Sequence, residues 1–277
     1  MEMAKTKLIL FCLCLGLCSC AQVYRWQCVS IDGGMTGCSA ANVDNVPEAL
    51  GMMQSDGSYK SPSGNIYSQE TATAKVASVV LAAQPEMSKV KKVIAHSDEM
   101  MVNNGRESRL SNWFVEIVMD KVASLSGRKV DVGIGNFRGI RAGMPEGDVT
   151  LDDIKSMFPF KNYIVYLELP GSVLKEVFSS MAAGKFQAVC GPKITVADHK
   201  LVSVEIDGSP IEDDKLYSVA TISFLLHGGD GLTLADGAVN VQEYDVAISE
   251  AVLEHIHALT AEGKSIKGSD ARYVVIK

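Results

Sequence analysis

The stretch from Ser111 to Gly127 constrains the fold more than any other. Phe114, Ile117, Val118, Val122 and Leu125 recur at intervals of three and four, which sets them along one face of an α-helix and demands a surface to cover that face. Gly127 supplies a stop, and shortly afterwards Val130, Val132 and Ile134 alternate as a strand does. The same grammar continues along the chain. "TATAKVASVVLAAQ" reads as a helix and "KKVIAHS" as a short strand; Thr150 and Asp153 form a capping-box signature for a short helix ending at "MFPF". "NYIVYLEL" reads as a strand and "GSVLKEVFSSM" as a helix with Leu174, Val177, Phe178 and Met181 inward. "LVSVEIDGSPI" is a strand entering an Asp-Gly turn. "KLYSVATI" is a further strand, "VAISEAVLEHIHAL" a helix and "RYVVI" a closing strand. Strict βαβ alternation is absent, so the expected fold is α/β (α+β), with mixed sheets covered by helices.

The periodic texture begins near Thr71. Residues 29–70, with "IDGGMTG" and "SDGSYKSPSGN", are rich in Gly, Ser, Asn and Asp and predict little regular structure. Residues 20–70 are therefore expected to be a tether or irregular arm, and 71–277 the compact domain. At the N-terminus, Lys5 and Lys7 precede "LILFCLCLGL", too short for a membrane span but suited to a signal peptide over 1–19. That segment ends in "LCSC", which resembles a bacterial lipobox, with Cys18 departing from the usual small aliphatic residue; the resemblance implies lipidation at Cys20. The expected location is outside the cytoplasm, anchored by lipid to a bacterial membrane on the periplasmic or surface side of an outer membrane. Cys28, Cys38 and Cys190 remain; Cys28 and Cys38 are near enough to close a small disulfide loop, and the spacing is equally consistent with two free thiols. No Cys/His metal spacing occurs. With 26 basic against 33 acidic residues the chain carries a formal net charge of −7, which argues against a nucleic-acid partner.

Two glycine-rich loops carry the candidate chemistry. In "IGNFRGIRAGMPEGDV", Gly135 and Gly139 let the backbone approach a ligand, Asn136 offers donors and an acceptor, and Arg141 offers a planar cationic fork. An ordinary polar surface loop would look similar. In "FLLHGGDG", Asp230 sits among Gly228, Gly229 and Gly231 and can accept two hydrogen bonds from a vicinal diol such as a ribose. Phe160 and Phe224 stand at element–loop boundaries, where a phenyl ring either faces a cleft or packs in the core.

"GNFRGIRAGMPEGDVTLDDIKSMFPFKNYIVYLELPGSVLKEVF" resembles the C-terminal domain of the 5'-nucleotidase family, which shows an Asn-x-Gly-Gly-Ile-Arg loop, an acidic turn, a "PFGN" segment and a strand–helix pair in this order. "SFLLHGGDG" is similar to that domain's closing motif and "ESRLSNWFVEIVMD" to its early helix. The family domain binds the nucleoside part of the substrate. The resemblance implies that Phe160 and Phe224 sandwich a base, Asn136 and Asn162 meet its polar edge, Asp230 takes ribose hydroxyls, Arg141 guides ribose or phosphate, and Gly191 lines the pocket. Arg138 replaces a family glycine and Lys161 replaces the glycine after Phe160. A family arginine before the early helix has no clean counterpart: Asn104 falls near its place, with Arg106 and Arg109 displaced, and Arg138 either compensates or merely faces solvent.

Family enzymes cleave phosphate in a separate N-terminal domain that holds two metal ions through Asp-x-His, Asn-His-Asp/Glu and further histidines; such chemistry needs many ligands around a shared oxygen. None of those motifs occurs in the 277 residues, and the five histidines are scattered. The expectation is a stand-alone nucleotide- or nucleoside-recognising lipoprotein without a catalytic residue or cofactor of its own, with divalent metals and hydrolysis supplied by a separate metallophosphatase chain. The alternatives are a binding-only lipoprotein that captures nucleosides or a related heterocycle, and an interaction module with a decayed pocket.

Overall fold

The computed structural model describes residues 41, 44–232 and 234–277. Cys20, the 1–19 leader and the Cys28–Cys38 pair lie outside the described residues. The chain divides into two compact units, Met1–Ala74 and Lys75–Lys277.

In the first unit, the described residues corrected the expectation of an irregular arm. Helix α1 (Val46–Leu50) starts with Pro47 in its first turn, where a missing N–H costs nothing. Strands β1 (Met52–Met53), β2 (Tyr59–Lys60) and β3 (Ile66–Tyr67) form a small antiparallel meander. Tyr59 holds this unit together: it is buried, its hydroxyl donates to the Leu50 carbonyl at 2.7 Å, and its ring stacks on Tyr67 with centroids 6.0 Å apart. Two-residue strands carry no readable alternation, which is why the sequence pattern does not announce them.

Helix α2 (Ala72–Val90) leads into the second unit. There follow β4 (Val93–Ser97), α3 (Arg109–Ser126), β5 (Val132–Gly135), β6 (Gly147–Thr150), α4 (Leu151–Met157), β7 (Tyr163–Pro170) and α5 (Gly171–Ala183). Then come β8 (Ala188–Cys190), β9 (Lys193–Ala197), β10 (Lys200–Ile206), β11 (Ser209–Pro210), β12 (Leu216–Ile222), α6 (Ser223–Leu226), β13 (Val239–Ala247), α7 (Ile248–Ala261) and β14 (Val274–Ile276). The fold is mixed α/β. A five-stranded sheet has the order β13-β7-β12-β5-β8, with β12 and β5 parallel and the other pairs antiparallel. A four-stranded sheet, β11-β10-β9-β14, has only β14 and β9 parallel, and β4 pairs with β6.

Local signals explain the boundaries. Ser108 caps α3 by accepting from the Ser111 amide, and Gly127 closes it in the left-handed region at φ 66°. Thr150 and Asp153 form the reciprocal capping box of α4, the Asp153 carboxylate accepting from the Thr150 amide at 2.7 Å. The Asp207-Gly208 turn between β10 and β11 has φ of 51° and 75°, the mirror-image turn that suits strand twist. Helix α3 lies on β5, β8, β12 and β7 and also meets α7, while α5 bridges β10 and β7. Leu174, Val177, Phe178 and Met181 of α5 are all buried, as their spacing demands. Leu125 is not: it is 40% exposed in the last turn of α3.

This division between buried and exposed positions has a measurable consequence. Phe178→Ala empties a fully buried site and is expected to lower unfolding free energy by about 3–5 kcal/mol in denaturant titration. Leu125→Ala, although it interrupts the same kind of apolar stripe, is expected to stay within about 0.5 kcal/mol of the parent.

Candidate functional site

Strand register assembles the site. β5 runs parallel to β12, with Val132 opposite Val219 and Gly133 opposite Ala220, and β7 runs antiparallel to β12, with Ile164 opposite Ile222. The ends of β5 and β12 and the start of β7 therefore share one sheet edge. From that edge emerge the loop after β5, the residues before β7, and α6 with its glycine turn.

Asn136 leaves β5 at this edge and is 4% exposed. Its Nδ2 donates to Asp230 Oδ2 at 3.3 Å, joining two loops 94 residues apart. Its Oδ1 is buried without a hydrogen-bond partner and lies against Gly139, where an added Cβ would sit 2.3 Å away. A buried unpaired acceptor costs roughly 1–3 kcal/mol, a penalty that stability alone does not select for. Gly139 begins a return of the chain through Ile140 to Arg141, and Asn103 clamps that return: its Nδ2 donates to the carbonyls of Phe137 at 2.6 Å and Ile140 at 2.8 Å. Nothing in "MVNNGRES" distinguishes Asn103 from its neighbour Asn104, so this contact was invisible to pattern reading.

The aromatic residues stand at the same edge. Phe160 is 49% exposed and Phe224 is 40% exposed, and neither belongs to the core. They form no ring pair with each other; the Arg141 guanidinium instead lies 5.9 Å from the Phe160 centroid, within cation–π range. Phe224 is the second residue of α6, which is tied to the start of β7 by the Ser223 hydroxyl accepting from the Tyr163 amide at 3.0 Å. Its ring lies against Gly229, where an added Cβ would be 2.5 Å from Cδ1 and Cε1. Asp230 is exposed and sits at φ 52° between Gly228 at 86° and Gly231 at 76°. Aspartate is one of the few residues with a side chain that tolerates this region.

Asn162 occupies the turn before β7, its amide donating to the Phe160 carbonyl and its carbonyl accepting from Ile248. Arg138 is exposed, and its carbonyl accepts from Arg141 Nη1 at 3.5 Å. Lys161 lies 5.5 Å from the Tyr163 ring centroid, and hydrogen bonding to that tyrosine holds its ammonium above the usual range. The edge thus presents two half-exposed rings, three cations and one carboxylate paired to an amide, a set able to stack a flat ring, accept from hydroxyls and pair with an anion.

Gly191 does not belong to this set. β8 runs antiparallel to β5, with Gly133 opposite Cys190 and Gly135 opposite Ala188. Gly191 consequently lies past the start of β5, where an added Cβ would be 2.2 Å from the Asp131 carbonyl oxygen, at the opposite end of the strand from Asn136. Its φ of 98° serves the turn into β9. Arg109 is also committed elsewhere, pairing with Glu99 at 2.5 Å and Asp270 at 3.0 Å. Cys190 is buried, and burial pushes its thiol far up. Among the described residues, no group of three or more His, Cys, Asp or Glu side chains is arranged to hold a metal ion.

Comparison with known proteins agrees with this layout. The family model for the "5'-nucleotidase, C-terminal domain" matches residues 87–237. Protein UshA of Salmonella pullorum is 27% identical over 166 residues, covering 56% of this chain and 30% of that protein. The 5'-nucleotidase of Vibrio cholerae serotype O1 is 29% identical over 144 residues, covering 49% and 26%. The chain spans less than a third of the length of either relative. Among solved structures, the 5'-nucleotidase precursor of Thermus thermophilus superposes with a TM-score of 0.63 at 24% identity, over 73% of this chain and 43% of that one, which shows a shared fold. With its matched segment covering the β5, β7 and β12 edge and both glycine loops, the chain belongs to the 5'-nucleotidase C-terminal domain family.

Proposed function

We propose that this chain recognises a nucleotide or nucleoside within a 5'-nucleotidase-type hydrolase system, and that hydrolysis and its divalent metals are supplied by a separate metallophosphatase chain. The observation that carries the reading is the Asn136–Asp230 contact at 3.3 Å, flanked along one sheet edge by the half-exposed rings of Phe160 and Phe224. In this reading the base stacks on the two rings, Asn136 and Asn162 meet its polar edge, Asp230 accepts from the ribose hydroxyls, and Arg141, with Arg138 beside it, meets the phosphate. Stacking contributes roughly 1–3 kcal/mol per base and a hydrogen bond to a charged group roughly 1.5–3 kcal/mol. Rings and charges therefore share the work, and truncating either kind weakens binding measurably.

Lipidation at Cys20 completes the proposal. A tether on the same membrane as the phosphatase raises the effective concentration of the two chains without a covalent link.

Isothermal titration with AMP, adenosine and adenine tests the binding reading. Adenosine is expected to bind more tightly than adenine because of Asp230, and Phe160→Ala and Phe224→Ala are each expected to weaken adenosine binding by roughly ten- to hundredfold. No binding of any of the three overturns it. Phosphate release from AMP by the purified chain with added Mn or Zn contradicts the division of labour. Asn103→Ala, which frees the carbonyls of Phe137 and Ile140, is expected to speed amide hydrogen exchange at Gly139 and Ile140 and to weaken the same ligands. Cys20→Ala is expected to abolish incorporation of labelled fatty acid into the protein in cells.

A further inference from the structure

Helix α2 turns its aliphatic residues outward. Its more covered side carries Ala77, Ser78, Gln84 and Ser88 beside Leu81, whereas Val76 is 64% exposed, Val79 is 69% exposed, and Val80, Ala83 and Met87 are exposed as well. The polar side chains on the covered side are satisfied within the helix. Ser78 donates to the Lys75 carbonyl at 2.8 Å, Gln84 to that of Val80 at 2.9 Å and Ser88 to that of Pro85 at 2.6 Å. All of these residues lie in the second unit. A contiguous outward row of aliphatic side chains marks an interaction surface.

The spacing of the row indicates what covers it. Val76, Val80, Ala83, Met87 and Val90 follow at intervals of four, three, four and three, the heptad seam by which one helix packs on another helix. A helix lying on a sheet or a broad core shows a wider stripe. No charged residue stands between Lys75 and Glu86, and Glu86 is paired with Lys89 of the same helix at 2.7 Å. Two copies of the seam can therefore meet without bringing like charges together, although the chain as a whole carries a net charge of −7. Pro85, which cannot donate to the helix ladder, falls about 200° round the helix from Ala83. Any bend it causes is convex on the far side and leaves the seam continuous.

We propose that α2 pairs antiparallel with α2 of a second copy of this chain, about a two-fold axis passing between Val80 and Ala83. In that alignment Val80 meets Ala83 of the second copy and Val76 meets Met87 of the second copy, and each contact occurs twice. The antiparallel choice follows from volume. A parallel pair would stack Ala83 on Ala83 and Met87 on Met87, leaving one layer underfilled and another crowded, whereas the antiparallel pair puts a valine in every layer. Fifteen helical residues span about 22 Å, so the interface falls below the roughly 1,200 Å² of standard complexes and the dimer is a weak one. The proposal does not rest on the nucleotide reading.

Sedimentation equilibrium of the full chain, over a concentration range reaching roughly 1 mM, is expected to show a monomer–dimer equilibrium. Val80→Glu, at the centre of the seam, is expected to weaken the dimer roughly hundredfold and to leave the thermal midpoint of the dilute chain unchanged, because Val80 is exposed in the single chain. Val76→Lys and Met87→Glu are each expected to weaken it roughly tenfold. The double variant V76K/M87E is expected to recover most of that loss, since each lysine then faces a glutamate of the other copy. A chain that stays monomeric throughout the range leaves the seam to a different partner and overturns the proposal. A dimer indifferent to Val80→Glu overturns it too, and a double variant weaker than either single one overturns the antiparallel alignment.

Discussion

Seven successive pairings between β7 and β12, from Leu216 with Pro170 to Ile222 with Ile164, are the constraint on which the candidate site depends. Side chains alternate across a strand, so a slip of one residue would carry every side chain of β7 to the opposite face of the sheet and move Tyr163 away from the Ser223 hydroxyl. The buried run Ile164, Val165, Tyr166 and Leu167 makes such a slip costly. β12 in turn carries β5 alongside it in parallel, which brings Asn136 level with the end of β12. Phe160, Asn136 and Phe224 come from segments far apart in sequence, and this one register sets them at the same edge.

At that edge, short loops are held by polar clamps. Asn103 fixes the return after β5, Ser223 fixes α6 to β7, and Asn136 meets Asp230 across the gap. The left-handed backbone at Asp230 and the unpaired Asn136 Oδ1 are both unfavourable in isolation. Glycine is needed where these groups press on the backbone: at Gly139 against the Asn136 carboxamide and at Gly229 against the Phe224 ring. The scaffold sustains local cost at the positions where a ligand would meet the protein.

Much of the fold was legible in the sequence because its elements are long and periodic. The inner face of α5, the capping box at Thr150 and the Asp207-Gly208 turn each follow from residue spacing. Leu125 shows the limit of periodicity, which says that a residue lies on a stripe and not that anything packs over it. The two-residue strands of the first unit carry no period at all. At the site, the motifs indicated which residues to consider, but direction along a strand decided which of them converge. Gly191 failed on that count, because antiparallel β8 carries the chain away from the Asn136 end of β5. Asn103 belongs to no motif, and only its hydrogen bonds distinguish it.

The central claim is that one ligand touches both phenyl rings and the Asp230 carboxylate. Nuclear Overhauser contacts in a labelled chain saturated with adenosine test it most directly. The account predicts contacts from adenine protons to the rings of both Phe160 and Phe224, with ribose protons near Asp230. Adenosine bound with contacts to only one ring, or to neither, would contradict it.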